Sequence, residues 1–344
     1  MLNSSATSFL FELADPEFEK PFRVYSGYLQ DLAGLIASEH GFATTLSEGV
    51  HASVLEGPGT SRIKRRRLAE PELGNLNVCL RRCWQNLRRV TREVNEVEGF
   101  DEEANAWLPV QAYYATFHAV IAFSIASGQR TPNDHRAARR MIADEVRRAT
   151  LPYPWSVSCS GCPQTNTTTF AGTEEPAHVH PLSAPSPESA RDRLAMFLRT
   201  TRQKELERIL DLERDRDKTP QRSRRRISAS EKERHAARLH CTTVFDLFWR
   251  LRKKANYDDA DTFVLGAAGV REAAAFAQSL AYVTDGTIAA LEALMAAYVG
   301  PGVIAEAASA YAERLPPGSA IHRRSAEWRA RAGGLAMRPA GVGR

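Results

Sequence analysis

A chain of 344 residues with 43% apolar and 25% charged side chains has material for one large or two ordinary packed domains, which excludes a disordered polymer. No apolar run reaches the roughly 20 residues of a membrane span, and "MLNSSATSFLFELADPEFEK" lacks a basic segment followed by a long apolar one, so no membrane partner and a cytoplasmic location are expected. The net charge of +5 gathers in basic runs, Arg62–Arg67, Arg81–Arg89, Arg136–Arg140 and Arg222–Arg226, whose arginine forks suit phosphate, while acidic runs such as "EVNEVEGFDEE" offset much of it.

Residues 1–72 read as one helix followed by a basic loop. Phe22, Tyr25, Leu29, Leu32 and Ile36 recur at spacings of three and four and mark one buried face over 17–39, whereas 40–72, with Gly-Pro-Gly and the first basic run, reads as loop. Over 73–150 three helices follow. Leu76, Leu80, Cys83, Leu87, Val90 and Val94 carry the first from Asn75 to about Glu98. The second, "VQAYYATFHAVIAFSIASG", begins after Pro109, and its residues Tyr114, Phe117, His118, Ile121 and Ile125 share one side, predicted to be a core stripe with one polar member. The third is capped by Asn133 or Asp134.

The texture changes at 151–185, an irregular insert rich in Pro, Thr, Ser and Gly without helical period. Its "CSGC", Cys159 and Cys162, with His178 and His180 downstream, offers two thiolates and two imidazoles for a structural zinc ion. Against that stand the nonstandard His-x-His spacing and the five cysteines of the chain, an odd number that fits reduced thiols, so no cofactor is the leading expectation. Residues 186–228 start a helix with Ser186 as cap and Pro187 in the first turn; its charged far end, Arg202 to Asp217, is predicted to project into solvent before a basic linker. Over 229–300 a helix or pair precedes one long Ala-rich helix from about Asp259 to Gly300, and 301–344 reads as a C-terminal helix and flexible tail. No alternating strand pattern bounded by turns appears, so the fold class is all-α.

Two segments in order, "AYYATFHAVIAFSIASG" and "LFWRLRKKANYDDADTFV", with the Ala-rich helix after them, resemble the HEPN family (higher eukaryotes and prokaryotes nucleotide-binding) over roughly 75–150 and 235–300. The resemblance implies a helical bundle, often dimeric, that binds RNA, a nucleotide or a protein partner such as a nucleotidyltransferase antitoxin, in a toxin-antitoxin or defence setting, and that in many members cleaves RNA without metal. Carried onto this chain, the family's Arg-x4-6-His element reads Arg252, Lys253, Lys254, Ala255, Asn256, Tyr257, with tyrosine where histidine would stand. Arg252, Asn256 and Tyr257 are then the catalytic candidates, and Lys253, Lys254, Tyr114 and His118 the phosphate-binding or supporting ones.

A phenol with an ordinary pKa of about 10 is a poor general base at neutral pH, so the resemblance favours binding and leaves open both a metal-independent endoribonuclease and a purely structural interaction module. Two further Arg-x4-6-His spacings, Arg130 to His135 and Arg234 to His240, occur at the frequency chance allows in so arginine-rich a chain and rank second. His118 itself reads as a core histidine that braces the bundle.

Overall fold

The computed structural model describes residues 16–42, 46–95, 102–176, 186–216, 227–258, 261–317 and 319–336, and among them the chain is all-α, with twelve α-helices and a small three-stranded sheet. Its axis is α10, Val270–Val299, an Ala-rich helix whose small side chains keep rotamer entropy losses low and admit close neighbours. Packed against it are α1 (Pro16–His40), α2 (Leu46–Leu55), α3 (Glu70–Asn95) and α4 (Leu108–Ser127). The sequence places α1, α3 and α4 within a few residues of their observed ends. It misses α2, which lies inside the predicted loop 40–72 and buries Leu46, Val50 and Val54.

The single Ala-rich helix expected from Asp259 is in fact two, α9 (Thr262–Leu265) and α10. The break falls at Gly269, whose φ of +131° is open to glycine and strained for any residue with a Cβ. Beyond Gly300 the chain forms two helices rather than one, α11 (Pro301–Ala312) and α12 (Ala320–Ala336), which pack on each other. The tail from 337 and the linker 217–226 lie outside the described residues.

The predicted core stripe of α4 is also corrected. Ala112, Tyr113, Ala115, Thr116, Ala119, Val120 and Phe123 are the buried side, and Tyr114, Phe117, His118, Ile121 and Ile125 are half-buried along its flank. An all-round apolar helix has no single hydrophobic face for spacing to find, so periodicity cannot choose between its sides. For the same reason α4 and α10 do pass the length and hydropathy test of a membrane span, contrary to the reading that no run does. Most of each passing window is nevertheless buried against other helices, 67% in α4 and 83% in α10.

The helix α5 (His135–Arg147) starts as predicted: the Asp134 side chain accepts from Ala137 N at 2.7 Å. The insert after it is better ordered than its composition suggests. Strand β1 (Ser158–Ser160) pairs antiparallel with β2 (Thr169–Ala171), and on its other edge with β3 (Thr242–Thr243), Ser158 opposite Thr243. Trp155, Val157 and Cys159 enter the main core. Gly161, at φ +78°, turns the chain so tightly that a Cβ there would lie 2.0 Å from Thr167 O. Helices α6 (Pro187–Arg216), α7 (Ala229–Ala237) and α8 (Asp246–Lys253) complete this side; of the stretch expected to project from Arg202 on, residues 211–215 are exposed, whereas Arg202, Leu206 and Leu210 are buried because they pack against α7 and the insert.

Much of the arginine is structural. Arg202 donates to three backbone carbonyls, Gly161, His240 and Ala236. Arg193 pairs with Asp31, and Arg66 of the first basic run donates to Ile125 O at the end of α4 and to Glu72. Five donors in a rigid fork suit a buried arginine to joining several segments at once.

A fully buried carboxylate, Glu292 on α10, forms a further hub, binding Arg324 and Trp328 of α12 and Trp84 of α3, with the His51 imidazole of α2 3.7 Å away and tilted against the Trp328 ring. Burial outweighs the nearby Glu292 carboxylate and holds the His51 pKa below its usual 6.5. The unfolded state therefore binds a proton more readily, so this contribution is complete above pH 6.5 and is lost as pH falls through the folded pKa. Melting temperature should drop as pH is lowered below about 6.5 at fixed ionic strength. His51→Gln should flatten that drop, and an unchanged slope would remove His51 as its source.

Candidate functional site

Helix α8, "DLFWRLRK", sits where α4, α5 and α6 meet, and its two sides serve two purposes. Leu247, Phe248 and Leu251 are buried, whereas Trp249, Arg250 and Lys253 are half-exposed at spacings of three and four on one face. Its first turn is clamped by Asp246, which accepts from Thr243 N at 2.7 Å and from Arg139 Nε at 2.5 Å. Burial opposes ionisation of Asp246, yet the Arg139 charge and the His240 and Thr243 hydrogen bonds hold its carboxyl well below the usual range. Arg139 in turn reaches Glu205 on α6 and lies over the Trp249 ring, 5.5 Å from its centroid.

Between α6 and α8 this frame leaves a cleft of about 180 Å³ floored by Tyr25 and Trp249. The cations Lys204, Arg208, Arg250 and Lys253 line it together with Arg139. The one carboxylate of the lining, Glu205, is already engaged by Arg139. Arg250 is held most firmly: it donates to the Tyr25 hydroxyl at 3.1 Å, to Thr200 Oγ1 at 3.1 Å and to Thr201 Oγ1 at 2.9 Å, and its guanidinium lies over the Tyr25 and Phe197 rings. Its partners in the cleft are thus hydroxyls and ring faces, none of which cancels its charge. Lys204, Arg208 and Arg250 form no ion pair among the described residues.

On the other side of Trp249 lies Arg252, which the sequence nominates as the phosphate-contacting residue. It is 6% exposed, and three rings surround its guanidinium, Tyr113 at 5.1 Å, Trp249 at 5.2 Å and Tyr114 at 5.5 Å. His135 joins this box from the start of α5. Its Nδ1 is 2.6 Å from the Tyr113 hydroxyl, and its ring faces Phe117 and Trp249. Burial and the Arg252 charge lower the His135 pKa. Burial raises the Tyr113 phenol, against the opposing pull of Arg252. The phenol therefore keeps its proton beside a neutral imidazole, and which of the two donates follows from the imidazole tautomer.

Of the remaining nominated residues, Tyr114 belongs to this box and Lys253 to the cleft, whereas Lys254 and Asn256 lie in the π-helical turn Lys254–Asp258 that follows α8, Asn256 exposed. The Tyr257 side chain lies outside the described residues. His118, one turn along α4 from Tyr114, is half-buried with its ring 6.4 Å from that ring; its pKa is lowered by burial and by Arg82, and its Nδ1 is buried without a hydrogen-bond partner. Of the chance-level spacings, the one ending at His135 reaches the Arg252 box, and the one ending at His240 reaches Asp246 instead, 3.8 Å away.

The cysteine pair is divided. Cys159 joins the main core, where burial pushes its thiol up to about 12, and Cys162 packs with Leu206, Leu210 and Ala236 in a separate cluster. His178 and His180 lie outside the described residues. Among the described residues no group of three or more His, Cys, Asp or Glu side chains is placed to hold a metal ion.

Sequence reasoning missed Arg250, Tyr25, Lys204 and Arg208. The signal within reach was the pairing of Trp249, Arg250 and Lys253 on the face of α8 opposite Leu247 and Leu251. No protein-family model, curated protein or solved structure matches the chain.

Proposed function

We propose that the chain is a HEPN-like helical protein that binds RNA, with the cleft between α6 and α8 as the phosphate-binding surface. The observation that carries this reading is Arg250, a guanidinium fixed by three hydroxyls and two rings in a cleft whose remaining cations outnumber its single engaged carboxylate. A preoriented arginine near a half-exposed aromatic ring, here Trp249, is the combination single-stranded RNA uses, phosphate on the cation and base on the ring. The resemblance of the two segments supports the same ligand class. A homodimer, a free nucleotide, a nucleotidyltransferase-type protein partner, a toxin-antitoxin or defence role and a cytoplasmic location come with that resemblance and belong to the proposal.

One observation favours a second reading, metal-independent endoribonuclease. His135 supplies, next to Arg252, the imidazole that the motif position occupied by Tyr257 does not. In the tautomer that carries its hydrogen on Nδ1 and donates it to the Tyr113 hydroxyl, the neutral imidazole leaves Nε2 free to take a proton at neutral pH.

The experiment that tests both is incubation of the purified protein in EDTA with labelled single-stranded and structured RNA, read for bound fraction and for fragments. Binding that weakens with salt and leaves the RNA intact is the expected result. Cleavage lost in His135→Ala would establish the second reading, and the absence of both binding and cleavage would refute the proposal.

A further inference from the structure

A cavity of about 570 Å³ lies away from the basic cleft, between α1, α3, α10 and the start of α12. That is the size range of small-molecule sites, which are mostly apolar with a few placed polar groups. Its walls fit the description: Leu46, Leu87, Ala281 and Ile321 are apolar and buried, and Ala33 and Ala37 of α1 are too short to fill the space. At the neighbouring Gly34 a Cβ would meet nothing within 4 Å.

The two cations of the lining, Arg88, half-buried on α3, and Arg323, exposed on α12, are without an acidic partner among the described residues. The one acid of the lining among the described residues, Asp285, is bound by the buried Arg324. Thr91, Gln278 and Ser279 add hydroxyl and amide groups on the same lining. An apolar body is thus accommodated by the walls and a negative head by the two guanidiniums, whereas a cationic head would meet like charge.

We infer that this cavity binds a small amphipathic molecule with an apolar chain and an anionic head, the class to which fatty carboxylates belong. The site is separate from the RNA cleft and does not depend on it. The probe is dodecanoate below its micellar concentration, titrated calorimetrically against the full chain, with dodecyltrimethylammonium as the cationic control of equal tail length. Saturable one-to-one binding of dodecanoate is expected, with the cationic analogue weaker by about tenfold or more, a gap of about 1.4 kcal/mol.

Gly34→Phe places a ring in open space on a helix where glycine is the poorer helix former, so it should fold at least as well as the parent. It should lose dodecanoate binding by about tenfold or more. Arg88→Glu with Arg323→Glu should reverse the preference between the two head groups. The proposal is overturned if no saturable binding is seen, if both head groups bind alike, or if Gly34→Phe leaves the affinity unchanged. It is equally overturned if the cavity proves to be covered by a second copy of the chain, seen as a concentration-dependent dimer that Gly34→Phe dissociates.

Discussion

Glu292→Leu lowers the unfolding free energy by about 3–5 kcal/mol, the range found when one partner of a buried ion pair is removed. Glu292 is fully buried, and its two oxygens accept from Trp84 Nε1 at 2.6 Å, Arg324 Nη1 at 2.7 Å and Trp328 Nε1 at 3.1 Å. A leucine in its place leaves three donors without an acceptor, one of them on a guanidinium whose remaining carboxylate is Asp285. Glu292→Gln keeps a carbonyl oxygen and should cost less. Burial raises the Glu292 pKa, but the Arg324 charge and the Trp84 hydrogen bond outweigh it and bring it to about 2. The ionised form is therefore favoured in the fold, and its contribution is present above the unfolded value of 4.5 and lost as pH falls toward about 2. Urea unfolding at neutral pH checks the prediction; a loss below about 1 kcal/mol would show that the hub contributes no more than an exposed pair.

Arg250→Ala weakens RNA binding by about tenfold and lowers the slope of log affinity against log salt by about one, because one phosphate contact is removed. Its three hydroxyl and two ring contacts make some loss of stability expected beside the loss of binding. Arg252→Ala should cost stability and leave the salt dependence of binding unchanged. Its guanidinium is enclosed by Tyr113, Tyr114 and Trp249, each such contact being worth about 0.5–2 kcal/mol, so stability falls while the salt slope stays near that of the parent. Anisotropy titrations at three or more salt concentrations, beside thermal melts of both variants, separate the two arginines. A slope unchanged by Arg250→Ala would move the phosphate contacts out of the cleft.

The contrast between neighbouring arginines shows what spacing can and cannot tell. Helices with one apolar face, such as α1 and α3, are legible because their period marks which side is buried. The Asp134 cap and the Ser186-Pro187 start are legible because they are local chemistry; Ser189 N does donate to Ser186 Oγ at 3.1 Å. The sides of α4 are not, since an apolar residue occupies most positions around it. The strands are missed because two or three residues are too short to show alternation, and they are held by Trp155 and Cys159 in the core rather than by their own propensity.

The site is legible in part. The run "LFWRLRKK" identifies α8, but which of its arginines faces solvent depends on how α8 docks onto α4 and α6, a tertiary fact. His135 could not be distinguished from chance by its distance along the chain to an arginine, because the arginine it meets, Arg252, is more than a hundred residues away in sequence. The basic runs mislead for a physical reason as well. Arg66, Arg139, Arg193 and Arg202 serve as internal ties between segments, so arginine content overstates the charge offered to a ligand.

The central claim concerns a place, the face of α8 toward α6, and the direct test is to map where RNA touches the protein. Single-stranded RNA carrying 4-thiouridine, irradiated with the full chain and digested for mass spectrometry, should attach within residues 200–208 or 246–253 or at Tyr25, and Arg250→Glu should abolish those adducts. Attachment confined to the Arg62–Arg67 run, or adducts unaffected by Arg250→Glu, would contradict the assignment of the cleft.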